Sequence, residues 1–169
     1  MKKSNFTKII IVLLLALIVN FSISDEGFAN IIKQTEGQEQ VLYQARHRLV
    51  DNQGNSWQTI LFKRVKEGKI IDLNLRLVGF PDVVKFNHPQ DLIVTTLNDE
   101  DMKARDEFAE KPPAENVGQV GQYDFKNILP VSIEQKYLTL LLPVQEKSLT
   151  LKIPYPVLLE WQEIATNNS

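Results

Sequence analysis

Ile71, Leu73, Leu75 and Leu77 alternate strictly with Asp72, Asn74 and Arg76, and turn-forming residues bound the run on both sides. A two-residue period puts the apolar side chains on one face of an extended strand and the polar ones on the other, as in an antiparallel sheet wetted on one side. Asp51-Asn52-Gln53-Gly54-Asn55 and Glu67-Gly68 carry turn chemistry, so residues 40–81 read as a meander of three strands. With Glu67-Gly68 as a two-residue hairpin loop, Lys66 faces Lys69, and Ile60 and Phe62 face Leu75 and Leu73 in the core. A loop from Asn52 to Asn55 then turns Tyr43, Ala45, His47 and Leu49 inward. A loop one residue shorter would place Arg46 and Arg48 beside Ile60 and Phe62, and burying two unpaired arginines is strongly unfavourable. The outer face is therefore predicted to carry Gln44, Arg46 and Arg48, then Trp57, Thr59, Leu61 and Lys63, and finally Asp72, Asn74 and Arg76.

Beyond Pro81 the pattern loosens, and Asp91 to Leu97 reads as a fourth strand. Asn98 is placed to cap a short helix from Asp99, with Met102, Arg105, Phe108 and Ala109 forming a weak apolar stripe. Pro112-Pro113 to Tyr123 reads as a Pro- and Gly-rich loop. Val131 to Leu142 and Ser148 to Ile153 are expected to pair as a leucine-rich hairpin. From Pro156 onward, Val157, Leu158, Trp161, Ile164 and Ala165 recur at helical spacing, with Glu160, Gln162 and Glu163 expected to turn away from the protein. The predicted fold is α+β and mostly β, an antiparallel sheet begun by the meander and covered by a C-terminal amphipathic helix.

The chain has no cysteine, so neither disulfides nor a lipid-bearing thiol contribute, and the fold rests on burial. This matters because the N-terminus carries an export pattern: Lys2, Lys3 and Lys8, an unbroken apolar run from Ile9 to Val19, then small and polar residues to Ala29. Residues 1–29 read as a signal peptide cleaved after Ala29, with Ser24 as the alternative, and residues 30–169 as one soluble β-rich domain. The apolar run is too short for a membrane span, so no transmembrane segment is expected after cleavage. A formal net charge of −2 gives no general attraction to nucleic acid.

The inventory for catalysis is sparse. His47 falls on the core face and His88 precedes Pro89 in a loop, which predicts structural roles for both. No serine elbow is present. A calcium loop counted from Asp99 reaches Glu110 at its twelfth position but has Lys103 fifth and Ala104 where glycine is required. The repeated Val117-Gly118-Gln119 and Val120-Gly121-Gln122 lack the lysine of a phosphate loop. No metal, cofactor or enzymatic activity is expected. The one surface feature with interface chemistry is the predicted patch of Arg46, Arg48, Trp57, Lys63 and Arg76, because arginine and tryptophan are the residue types that carry binding energy. It is the candidate docking face, for which a membrane-associated protein complex is the expected partner. The alternative is a barrel-like carrier whose leucines in Tyr137 to Leu142 and Leu149 to Ile153 line a cavity for a pigment or lipid.

Several short runs belong together. Asn55-Ser56-Trp57-Gln58 leading into Leu61-Phe62-Lys63, then Leu75-Arg76-Leu77-Val78-Gly79-Phe80-Pro81, His88-Pro89, Phe108-Ala109-Glu110, Gly121-Gln122-Tyr123-Asp124 and Glu160-Trp161-Gln162 resemble a family of exported cyanobacterial proteins classed as a domain of unknown function. The likeness covers nearly all of the chain after the leader, and the repeated Val-Gly-Gln departs from the family's shorter form. The resemblance implies a setting, the periplasm or thylakoid lumen of a photosynthetic bacterium. It carries no catalytic residues to this chain.

Overall fold

The computed structural model describes residues 31–37, 39–81, 83–108, 118–145 and 148–166. The signal-peptide pattern and both cleavage points lie outside the described residues. Among the described residues the fold is mostly β, with two antiparallel sheets and one α-helix. β1 (Ile32–Gly37), β2 (Gln40–Val50), β3 (Ser56–Lys66), β4 (Lys69–Val78) and β7 (Val120–Asp124) form the first sheet in the order β1-β2-β3-β4-β7. β5 (Leu92–Thr95), β6 (Asp101–Ala104), β8 (Tyr137–Leu142) and β9 (Leu149–Pro154) form the second in the order β6-β5-β8-β9. A 3-10 turn, Val131–Glu134, precedes β8, and α1, Tyr155–Thr166, follows β9 directly.

The meander is present, but two details of its register differ from expectation. Glu67 and Gly68 adopt positive φ (51° and 73°) and pair Lys66 with Lys69, as a two-residue loop requires. Ile71 is then an extra residue: Val65 pairs with Ile70, yet Arg64 pairs with Asp72. This bulge shifts every later pairing by one, so Leu61 rather than Ile60 faces Leu75, and Lys63 rather than Phe62 faces Leu73. At the other turn Val50 pairs with Ser56, and the Asp51 N–H bonds to the Asn55 carbonyl at 3.0 Å, closing a three-residue loop with Gly54 at φ +87°. That is the shorter loop, and Arg46 does oppose Ile60. Both now lie on the outer face, because the bulge has exchanged the faces of β3. Tyr43, Ala45, His47 and Leu49 keep their predicted inward direction, and Leu73, Leu75 and Leu77 are buried. Ile71 is corrected to a bulge residue with 44% exposure, and Ile60 and Phe62 to the outer face, where Phe62 is nonetheless buried as expected.

The helix expected after Asn98 is instead β6. Asp99 at φ 59° turns the chain, the Thr96 N–H bonds to the Glu100 carbonyl, and Met102 and Ala104 alternate with Asp101 and Lys103 against β5. A stripe as thin as Met102, Phe108 and Ala109 offers a helix little to bury, whereas strand pairing satisfies the backbone at once. The second half of the predicted loop is β7, paired to β4 from Asn74 to Val78, and residues 109–117 lie outside the described set.

The two sheets meet at both margins through single bridges, Asp51 to Leu151 and Asp106 to Tyr123, and no barrel closes. Between them lie Trp57, Leu61, Leu75, Tyr123, Phe125 and Leu140, all buried, and Val157, Leu158, Trp161 and Ile164 of α1 pack on this core beside β2, β3, β8 and β9. Glycine at 121 is required by this packing. A Cβ there would lie 2.7 Å from the Tyr123 hydroxyl and 2.9 Å from the Phe86 ring. Gly121→Ala is accordingly expected to destabilise by about 1–3 kcal/mol through overpacking, as read from urea unfolding at neutral pH.

Candidate docking face

The bulge decides which members of the predicted patch share a surface. Arg46, Arg48 and Arg76 do: Arg46 opposes Ile60, which opposes Arg76, and Arg48 opposes Gln58 two pairs further along, all on the outer face of the first sheet. Trp57 and Lys63 do not. Trp57 is 1% exposed, donates its indole N–H to Asp51 at 3.0 Å and meets Phe86 edge-on. Lys63 is 0% exposed beneath α1, with its ammonium 3.4 Å from the Ala165 carbonyl and 5.2 Å from the Tyr43 ring centroid. A cation under the last turn of a helix meets the negative end of its dipole, and α1 has no basic residue of its own there. Burial pulls the Lys63 ammonium below the ordinary lysine value. Both residues are thus core elements that sequence alternation assigned to the wrong side.

The site contains two groups that the sequence reading left out, Arg64 and Phe62. The Phe62 ring lies under two guanidinium groups, Arg64 at 5.1 Å and Arg76 at 5.2 Å from its centroid. Arg64 is paired, to Glu36 and to Asp72 at 3.0 Å each. Arg46 and Arg76 are held differently. The Nε and Nη2 groups of Arg46 donate to Gln44 Oε1 at 3.2 and 3.1 Å, and those of Arg76 to Gln122 Oε1 at 3.1 and 2.7 Å. Gln44 and Gln122 are themselves buried, so each guanidinium sits on a fixed neutral acceptor. Burial, followed by repulsion from Arg64 and Arg46, pulls the Arg76 guanidinium below its ordinary value. Like charges are therefore gathered on this face. The signal for Arg64 was available in its own alternation with Phe62 and Ile60, but only once the bulge is known.

At the end of the face, Arg46, Arg48 and Gln58 line a cleft of roughly 410 Å³ whose opposite wall is Val78, Phe80 and Pro81. Phe80 is 56% exposed. The cleft joins one braced and one exposed arginine to an apolar wall, an arrangement suited to recognition.

Both histidines are tied into the structure. His47 faces the core, as expected, and its Nε2 lies 3.0 Å from Glu160 of α1 while Nδ1 is buried without a hydrogen-bond partner among the described residues. Glu160 and Gln162 therefore turn toward the body, contrary to the helical-wheel expectation, and Gln162 donates to the Ser132 carbonyl at 2.8 Å. His88 spans Asp106 (2.6 Å from Nδ1) and the Val120 carbonyl (3.1 Å from Nε2) and stacks on Phe108 at 4.5 Å. It clamps the 86–90 segment to β7 and to the chain leaving β6. Among the described residues no hydroxyl is hydrogen-bonded to either imidazole, no three His, Asp or Glu side chains gather to hold a metal, and no helix is long and apolar enough to cross a membrane.

The chain belongs to the family described as "protein of unknown function (DUF3122)", whose model matches residues 29–164. No curated protein and no solved structure matches it.

Proposed function

We propose that this protein is a non-enzymatic accessory protein of an exported compartment, periplasm or thylakoid lumen, that docks on a membrane-associated protein complex through the outer face of its five-stranded sheet. The observation that carries the reading is the state of the arginines. Arg46 and Arg76 are braced on buried amides and Arg48 is exposed, with no carboxylate paired to any of the three among the described residues. Surface arginines that serve only solubility are commonly paired or mobile, whereas Arg46 and Arg76 are held in place with hydrogen-bonding capacity to spare. The leader pattern supports the exported setting.

The carrier reading requires an interior cavity. The leucines it relied on, Leu138, Leu140, Leu149 and Leu151, are buried against Trp161 and the rest of one packed cluster, which favours docking. Organic extraction of the protein from its native host, followed by mass spectrometry, is expected to yield no stoichiometric pigment or lipid.

Docking is tested by placing a photo-crosslinking residue at position 58 and isolating adducts from native membranes. A defined adduct is expected with the wild-type face and is expected to disappear in R46E/R48E; thermal unfolding of the variant is measured alongside, because Arg46 donates to the buried Gln44 amide oxygen. An adduct that survives the double charge reversal, or none at all under gentle low-salt extraction, would refute the docking role.

A further inference from the structure

The chemistry of the face says what kind of partner it takes, an inference that rests on the docking reading. Two features of the cleft have to be met together. Its cationic side presents Arg46, whose Nη1 makes no hydrogen bond among the described residues while Nε and Nη2 are braced on Gln44, and the exposed Arg48. A guanidinium fixed along one edge offers the other to a planar oxyanion, and a carboxylate matches that fork. Its opposite side is apolar, formed by Val78, Pro81 and the exposed ring of Phe80. A simple anion would leave that wall wet, and an apolar group alone would strand the guanidinium groups. The complement is an acidic segment with one large apolar side chain, and a cleft of roughly 410 Å³ has room for that side chain and its flanking carboxylates.

Extended polyanions fit less well. Further along the same face Glu36 and Asp72 surround Arg64, so a lipid surface or a nucleic acid laid across the sheet would meet carboxylates there. The chain as a whole is also mildly acidic, with a formal net charge of −2. A short segment seated in the cleft avoids those carboxylates and still feels the field of Arg76, which lies across Ile60 from Arg46 on the same face.

We propose that the cleft between Arg46, Arg48 and Phe80 binds an acidic protein segment, its carboxylates on the two arginines and a large apolar side chain against Phe80.

The test uses synthetic peptides and the folded protein, with binding followed by backbone amide shifts. One peptide has glutamates flanking a single phenylalanine, the second has glutamine for glutamate, and the third has alanine for phenylalanine. The first is expected to bind saturably and to shift amides of residues 46–48, 58 and 78–81. Each of the other two is expected to bind at least about tenfold more weakly, and raising salt from ~50 to ~300 mM is expected to weaken the first by about tenfold. R46E/R48E is expected to abolish binding. R46Q/R48Q keeps the side-chain bulk without the charge and is expected to weaken it by about tenfold, which guards against a folding defect in the reversal.

Equal binding of the glutamine peptide, or binding insensitive to both double variants, would overturn the proposal. So would succinate binding as tightly as the first peptide, which would make the cleft a small-anion site, or phosphatidylglycerol vesicles competing more strongly than the peptide. A photo-crosslinked partner that the peptide fails to displace would overturn the assigned chemistry and leave docking intact. Absence of any crosslinked partner would remove the docking reading and this inference together.

Discussion

Trp161→Ala is expected to lower stability by about 3–5 kcal/mol, the largest effect of any single side chain in α1. Trp161 is 0% exposed, meets Phe125 edge-on at 6.0 Å and sits with Val157, Leu158 and Ile164 where α1 packs on the core. Removing the indole leaves a cavity that α1 can fill only by leaving its two anchoring contacts, His47 with Glu160 and Ser132 with Gln162. The Trp161 Nε1 has no hydrogen-bond partner among the described residues, so Trp161→Phe gives up volume without giving up a bond. That variant is expected to lose only about 1–2 kcal/mol. Urea unfolding of both variants measures the difference. Equal losses would mean that the nitrogen matters, and an unchanged midpoint for the alanine variant would mean that α1 contributes nothing to the core.

Asp51→Ala is expected to cost about 3 kcal/mol or more, although a loop aspartate at a hairpin tip would ordinarily be replaceable. Its carboxylate accepts from the Gln53 and Asn55 backbone N–H groups at 2.8 and 2.9 Å, the Asn55 side chain at 2.9 Å and the Trp57 indole at 3.0 Å. Deletion strands the buried indole N–H and loosens a turn that also bonds to β9, through the Asn52 N–H to the Thr150 carbonyl. Asp51→Asn is expected to fall between, because an amide directs N–H groups at donors that need an acceptor.

A pH dependence follows. Burial alone would raise the Asp51 carboxyl, but bonds from Trp57, Asn55 and Gln53 outweigh it and hold the group below the ordinary carboxylate value. A depressed folded-state value means that the unfolded chain binds the proton more readily. The stabilisation is therefore complete above the unfolded carboxylate value of ~4 and is lost as pH falls through the lower folded value. Unfolding free energies measured from neutral pH down to about pH 3 are expected to decline less steeply in Asp51→Asn than in the wild type. Parallel curves would show that other carboxylates carry the acid sensitivity.

Local periodicity carried the sequence reading a long way. Strict alternation in β4, the two turn sequences and the 3.6-residue recurrence from Val157 to Ala165 led to the meander, its hairpins and the closing helix, because each depends on neighbours within a few residues. The inward row of β2 is the expected one because a turn one residue shorter than expected and the bulge at Ile71 offset each other. At the first turn a signal was available, since aspartate followed three residues later by glycine in the left-handed region suits a three-residue loop.

In β4 the apolar half of the alternation marks the inner face, but in β2 and β3 alternation determined only which residues share a face, and strand pairing decided which face is inside. Ile71 leaves no mark on the spacing of β4, yet as a bulge it turns Trp57, Leu61 and Lys63 inward and Ile60, Phe62 and Arg64 outward. The physical reason is that the side-chain period is two, so one extra residue in a partner strand reverses every side chain beyond it. A buried lysine is the outcome least expected from composition. It is tolerated because the C-terminal turn of α1, 102 positions further on, and the Tyr43 ring across the β2–β3 pairing meet its charge, contacts that exist only once the chain is folded. Strand pairing likewise set Arg46 and Arg76 on one face, either side of Ile60, and separated both from Trp57, so the chemistry of the candidate face was legible in its arginines while its membership was decided by the tertiary structure.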